Sequence, residues 1–173
     1  RIGSPLSINA VREDLQTTHP TMQRYLKVLQ QVFITFEVSP YSKKIHRAVK
    51  KEKKIYFFNH IAVIEPGARF ENMIALLLSK WCSSARERAL GHYELHYIRD
   101  QDRREVDFLV TLEGVPELLV EAKLSDTNFT RPSLHFHHKL KVPILHIVRK
   151  PGIQIEREEG VVTSIHSLAR LLG

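Results

Sequence analysis

The chain has 173 residues, 43% of them apolar and 26% charged, the balance of an ordinary globular protein of one domain or two small ones. A formal net charge of +7 permits a polyanionic partner, and a single cysteine, Cys82, excludes an internal disulfide or a cysteine zinc cluster. No apolar run approaches the ~20 residues that span a bilayer and no signal-peptide pattern opens the chain, so a cytoplasmic protein without a membrane partner is expected.

The sequence starts at Arg1 without an initiator methionine, as expected of a fragment of a longer protein, and holds no G-x(4)-G-K-[ST] phosphate loop, so any nucleotide-binding domain would have to lie upstream. Residues 7–15 open on a capping serine, Ser7, followed by apolar positions at helical spacing. A second helix begins at Pro20 and carries Met22, Tyr25, Leu26, Leu29 and Val32 on one face. Phe33 to Val38 and Lys54 to Phe58 then read as two strands that pair across a basic loop. Two helices and a hairpin in this order resemble a winged helix, expected over residues 1–62. In a DNA-binding reading the second helix presents Arg24 and Lys27 to the groove, and Lys43, Lys44, Arg47, Lys50 and Lys51 grip phosphates. The competing reading is a solvated lysine loop on a packing module.

From Gly67 to Ala89 the spacing predicts a helix whose buried face holds Phe70, Ile74, Leu77, Leu78 and Trp81. Glu71 sits on the margin of that face. It either looks into a site or complements the helix N-terminus. Tyr93 to Arg99 alternates as a strand, and Val142 to Val148 is a continuous apolar strand of the buried parallel kind. Between them, residues 133–140 form a short helix with His135, His137 and His138, whose spacing is not that of a helical zinc pair. A terminal helix is expected over residues 164–172.

The chemistry concentrates in Arg104 to Lys123, two strands joined at Glu113-Gly114. Asp107 interrupts an apolar strand, while Glu121 and Lys123 share one face of the next, since side chains alternate with period two. Burying such groups costs free energy unless a partner or a metal compensates them. Asp107 and Glu121 offer hard oxygens of the type Mg²⁺ prefers, and Lys123 stands where it can act on a water or balance charge on a phosphate oxygen. The set suits phosphodiester hydrolysis. A structural ion pair of Glu121 and Lys123 is the alternative.

Asp107, thirteen intervening residues and then Glu121-Ala122-Lys123 resemble the PD-(D/E)XK nuclease signature, with Val106 where that pattern often has proline. Glu71 matches the acidic residue many members carry on their first core helix. The resemblance implies catalytic roles for Glu71, Asp107, Glu121 and Lys123, with Mg²⁺ on Asp107 and Glu121. More widely, PYSKKIHRAVKKEKKIYFFN, GARFENMIALLL, ELHYIRDQDRREVDFLV, LLVEAKLSD and PILHIVRK, in this order, resemble the C-terminal part, of unknown function, of a family of prokaryotic AAA-type ATPases. That resemblance implies an α/β fold, a winged helix followed over residues 63–173 by a restriction-endonuclease-like core with a mixed sheet flanked by helices. ATP would bind only to the upstream AAA domain, which becomes a partner within the same chain. Nucleic acid, DNA ahead of RNA, is the expected external partner, and a homo-oligomer is compatible. The alternative function is a catalytically inactive DNA- or partner-binding regulatory module of the ATPase.

Overall fold

The computed structural model describes residues 3–42 and 52–167. Lys43, Lys44, Arg47, Lys50 and Lys51 lie outside the described residues. The elements run α1 (Ile8–Asp14), α2 (His19–Gln31), β1 (Thr35–Pro40), β2 (Lys54–Phe57), a 3-10 turn (His60–Ala62), α3 (Pro66–Glu87), β3 (Tyr93–Arg99), β4 (Glu105–Leu112), β5 (Val115–Lys123), α4 (Arg131–Leu140), β6 (Ile144–Val148), β7 (Gln154–Arg157) and β8 (Gly160–Ser164). Hydroxyls just ahead of α2 and α4 cap their first turns. The Thr18 hydroxyl accepts from the Thr21 N–H at 3.3 Å, and the Thr130 hydroxyl accepts from the Ser133 N–H at 3.2 Å.

The fold is mixed α/β, with one eight-stranded sheet in the order β2-β1-β3-β4-β5-β6-β8-β7 and helices on its faces. The two strands read before α3 are antiparallel partners, from Thr35↔Phe57 to Val38↔Lys54. This hairpin does not stand apart. β1 runs parallel to β3 through Ser39↔His96 and Pro40↔Tyr97, and the Tyr41 N–H donates to the Tyr97 carbonyl at 2.8 Å. β3, β4 and β5 form an antiparallel meander, after which α4 carries the chain to β6, parallel to β5. A parallel neighbour needs such a crossover, which explains a helix between β5 and β6 and none between β4 and β5.

Alternation along the central strands divides the core into two layers. On one face Phe70, Ile74, Ala75, Leu78 and Cys82 of α3 pack against Tyr56, Phe108, Val110, Val120 and Ile147. On the other, Phe136 of α4 packs with Ile98, Leu109, Leu119 and Ile144. Each large apolar side chain fully buried in these layers contributes about 1.5–3 kcal/mol relative to exposure. Because Tyr56 is 0% exposed within the α3 layer, the N-terminal hairpin belongs to the same core as the meander.

The stretch after β6 departs from the sequence reading. It holds two strands, β7 and β8, with β8 parallel to β6 and β7 forming the sheet edge. Gln154–Arg157 has only Ile155 as an apolar residue and alternates between exposed and half-buried positions, so its periodic signal was too weak to read. Ser164, expected to begin a helix, ends β8; residues 165–167 are helical, and the remainder of that expectation lies outside the described residues. Among the described residues no helix is long and apolar enough to cross a membrane.

Candidate functional site

β4 and β5 pair from Leu112↔Val115 up to Phe108↔Val120, where their ladder ends, while β5 continues beside β6 as far as Lys123↔Val148. The strands therefore fork at Asp107. Its carboxylate occupies the fork in place of the next ladder carbonyl, with Oδ2 accepting from the Ala122 N–H at 3.0 Å and from Lys123 Nζ at 3.4 Å. A half-buried acid in an apolar strand is thus retained by one backbone donor and one cation, which offsets its desolvation.

Glu71 reaches the same end of the sheet from α3. The Tyr56 hydroxyl donates to its Oε1 at 2.7 Å and Lys54 Nζ donates to the same oxygen at 3.3 Å. Lys54, 0% exposed, also pairs with Glu105 at 2.8 Å, and Arg99 lies 3.6 Å from the other Glu105 oxygen. Gly3 lies against the Glu71 carboxylate, where a Cβ would come within 2.8 Å of Oε2 and 2.9 Å of Oε1. Glu71 is thus held by Tyr56 and Lys54 and does not serve as a first-turn dipole acid; the helix start is capped by Glu65, whose carboxylate accepts from the Gly67 and Ala68 N–H groups.

Glu121 faces α4. The Thr130 hydroxyl donates to its Oε1 at 2.8 Å, and its Oε2 lies 3.8 Å from His146 Nδ1 on the neighbouring strand. Glu121 is 2% exposed, and Oε2 has no hydrogen-bond partner.

The groups act on one another electrostatically. Burial and then the Asp107 charge push the Glu71 carboxyl up to about 7, against the pull of Lys54 and Tyr56. Burial raises Glu121 as well, with Lys123 and Thr130 opposing and Asp107 adding to the rise. Burial alone would lower Lys123, but the charges of Asp107, Glu121 and Glu71 outweigh it and hold the ammonium above its ordinary value. Lys54 behaves likewise beneath Glu71, Asp107 and Glu105. Lys123 is therefore the common electrostatic neighbour of all three carboxylates named from the sequence, which come from α3, β4 and β5.

Among the described residues no three His, Cys, Asp or Glu side chains stand close enough to form a metal cage. Mg²⁺ does not require one, because it binds through one or two carboxylates and keeps several waters. The buried Glu121 Oε2, without a hydrogen-bond partner, is an oxygen donor of the type such a cation takes, so the carboxylate chemistry fits it. Ala122, whose carbonyl sits in β5, is buried at 8% exposure.

The other sequence candidates lie elsewhere. Arg24 and Lys27 are exposed on α2. His137 Nδ1 bonds to the Val142 carbonyl at 2.8 Å, while His135 Nε2 lies 3.7 Å from Asp100 without a hydrogen-bond partner. A groove of about 240 Å³ opens between β1, β3 and α3, where β1 and β3 pair over only two residues. None of the four catalytic candidates lines it. Sequence reading passed over Lys54, Tyr56, Thr130 and His146. Lys54 did carry a signal, an ionisable residue opening the apolar run Ile55-Tyr56-Phe57-Phe58.

A family described as Domain of unknown function (DUF4143) matches residues 66–168, more than half of the chain. The chain belongs to the DUF4143 family. A second family, Domain of unknown function (DUF8612), matches residues 1–60. The boundary between the two matches falls just before α3, so the DUF8612 segment supplies Lys54 and Tyr56 to carboxylates of the DUF4143 segment. No curated protein and no solved structure matches the chain.

Proposed function

We propose that this chain is the C-terminal part of an AAA-type ATPase and that its fork site is a divalent-metal-dependent nuclease-like centre acting on nucleic acid, DNA ahead of RNA. The observation that carries the reading is Lys123 in contact with Asp107 at 3.4 Å and within the electrostatic reach of Glu121 and Glu71. Asp107 and Glu121 would hold Mg²⁺, which supplies Lewis-acid polarisation of a phosphodiester when bound.

The remaining roles follow from the protonation states. Lys123, raised above its ordinary value, is an ammonium at neutral pH and is suited to neutralising phosphate oxygens, not to removing a proton. Glu71, pushed up to about 7, is the carboxyl matched to take a proton from an attacking water near neutrality. As that water adds to phosphorus, the ester P–O bond breaks and the leaving oxygen acquires a proton from solvent. Lys54 and Tyr56 position Glu71 without approaching substrate. The net charge of +7 favours a polyanion.

A specific observation favours a second reading, a non-cutting DNA- or partner-binding module of the ATPase. Lys54, Arg99 and Lys123 already pair with Glu71, Glu105 and Asp107, three cations against three carboxylates as the network stands. Incubation with single- and double-stranded DNA and with RNA, with and without Mg²⁺, separates the two. Under the nuclease reading cleavage needs the ion and is lost in Asp107→Asn and Lys123→Met. DNA retention that falls with salt, is indifferent to Mg²⁺ and comes without cleavage establishes the second reading and defeats the first.

A further inference from the structure

β1 and β3 run parallel but pair at one end only, through Ser39↔His96 and Pro40↔Tyr97. The Tyr41 N–H donates to the Tyr97 carbonyl, which fixes the phase of the ladder. Tyr97, Leu95 and Tyr93 turn their main-chain groups towards β1, and Ser39 and Glu37 turn theirs towards β3. Before Ser39 the strands part, and the next rungs are not made. The Glu37 N–H, the Glu37 carbonyl and the Leu95 N–H therefore have no ladder partner, although each points at the opposite strand.

The groove of about 240 Å³ fills this gap. Val38 and Leu95 pack with Cys82 on the α3 side, where Ser83 and Arg86 complete the floor. Alternation turns Glu94 and His96 to the open side. The charges here lack strong partners. Arg86 donates to the Tyr93 carbonyl at 3.4 Å and meets no carboxylate within salt-bridge distance among the described residues, while Glu94 has only His92 and His96 beside it. His96 Nδ1 is buried in the groove wall without a hydrogen-bond partner.

Such walls select among ligands. A carboxylate or phosphate would use the N–H donors but be repelled by the Glu37 carbonyl, and an amine would do the reverse. Drug-sized molecules occupy pockets of about 300–1,000 Å³, larger than this one. Extended main chain carries a donor and an acceptor at the spacing of a strand and is slim enough for the gap.

We propose that this groove binds a short extended segment of a partner protein, whose main chain pairs with Glu37 and Leu95. Its side chains alternate, small apolar or acidic ones facing Cys82 and Arg86, hydroxyl or basic ones facing Glu94. Main-chain hydrogen bonds supply affinity in this mode and the alternate side chains supply selectivity. The bound segment touches β1 from the DUF8612 match and β3 and α3 from the DUF4143 match at once. Neither the site nor its test depends on the fork, whose residues do not line the groove.

The test is heteronuclear NMR of the isotope-labelled full chain, titrated with a pool of acetylated, amidated pentapeptides in which Val, Ala or Asp alternates with Thr or Lys, in both phases. The Glu37 and Leu95 amide signals are expected to shift. The same pool methylated on alternate main-chain nitrogens should bind at least about tenfold more weakly, because it cannot donate to the Glu37 carbonyl. Ser83→Trp, a change at an exposed position on the groove floor, should abolish the shifts while leaving signals remote from the groove in place. No shift at millimolar peptide overturns the proposal, and so does a shift that main-chain methylation leaves intact. Shifts reproduced by sodium acetate or by free lysine overturn it too, since they mark a simple ion site. The methylated pool requires no variant, so the outcome is decided even if Ser83→Trp does not fold.

Discussion

Glu71 is the residue on which the electrostatics of the site turn, because it is nearly buried, with a side chain 18% exposed, and borders another acid. Its folded carboxyl titrates at about 7 and its ordinary value is 4.5. Between those values the folded chain holds a proton that the unfolded chain has released, so stability falls as pH rises through this window. The group's contribution is most favourable below pH 4.5 and is lost by the time pH passes 7. Glu71→Gln keeps an acceptor for Tyr56 and removes the titration. We expect the stability of this variant, relative to wild type, to improve by on the order of 2–3 kcal/mol between pH 5 and pH 8, read from urea unfolding at each pH. A constant difference across that range would mean that Lys54 holds Glu71 ionised throughout.

At the scale of elements, two junctions decide how α4 and the β6–β8 pair are set against the site. Thr130 caps α4 and at the same time anchors Glu121, so Thr130→Ala removes a helix cap and a donor to a buried carboxylate. A loss of about 1–3 kcal/mol is expected, with Thr130→Ser close to wild type, both measured by chemical denaturation. Gly160 starts β8 at φ +155, with Ile144 O only 1.9 Å from where a Cβ would stand. Gly160→Ala must push β8 off β6, and we expect early amide exchange across Ile144–Val148 along with a marked drop in melting temperature. Sequence reading passed over both junctions, for different reasons. Thr130 stands three residues before Ser133 at a helix start, a local pattern, whereas the approach of Gly160 to Ile144 joins strands that sequence reading did not pair. The same distinction runs through the site. Asp107, Glu121 and Lys123 lie on two strands joined by one turn, so period two alone placed the last two on one face. Lys54, Tyr56 and His146 reach their acidic partners only through strand order and helix packing, which no local periodicity encodes. β7 escaped notice for a third reason, being a short edge strand with a single apolar side chain.

At the scale of the whole molecule, the question is whether the DUF8612 and DUF4143 segments fold as one unit. Strand pairing between them is thin, since β1 meets β3 over two residue pairs. Packing is not thin. Val38 and Tyr56 from the first segment share a buried cluster with Phe70, Ile74, Phe108 and Val120 from the second, and Tyr56 also touches Phe108 ring to ring at 5.8 Å. Lys54, fully buried, is the cation between Glu71 and Glu105. A chain beginning at Pro66 would expose the α3 and β4 surface that Tyr56 covers and leave both acids without that lysine, a loss of the kind that costs about 3–5 kcal/mol for a buried pair. A typical domain is stable by only about 5–15 kcal/mol, so the ionic and apolar losses together exceed what the shorter chain can sustain. We therefore expect the intact chain to unfold in one calorimetric transition whose van't Hoff and calorimetric enthalpies agree, and the chain from Pro66 onward to lack a cooperative transition. Lys54→Met in the intact chain isolates the ionic part: it should lower stability while preserving the single transition, because Val38 and Tyr56 still bridge the segments. Two separate transitions in the wild type would show instead that the hairpin and the meander are independent bodies, and that Glu71 is held by a contact the second segment does not need in order to fold.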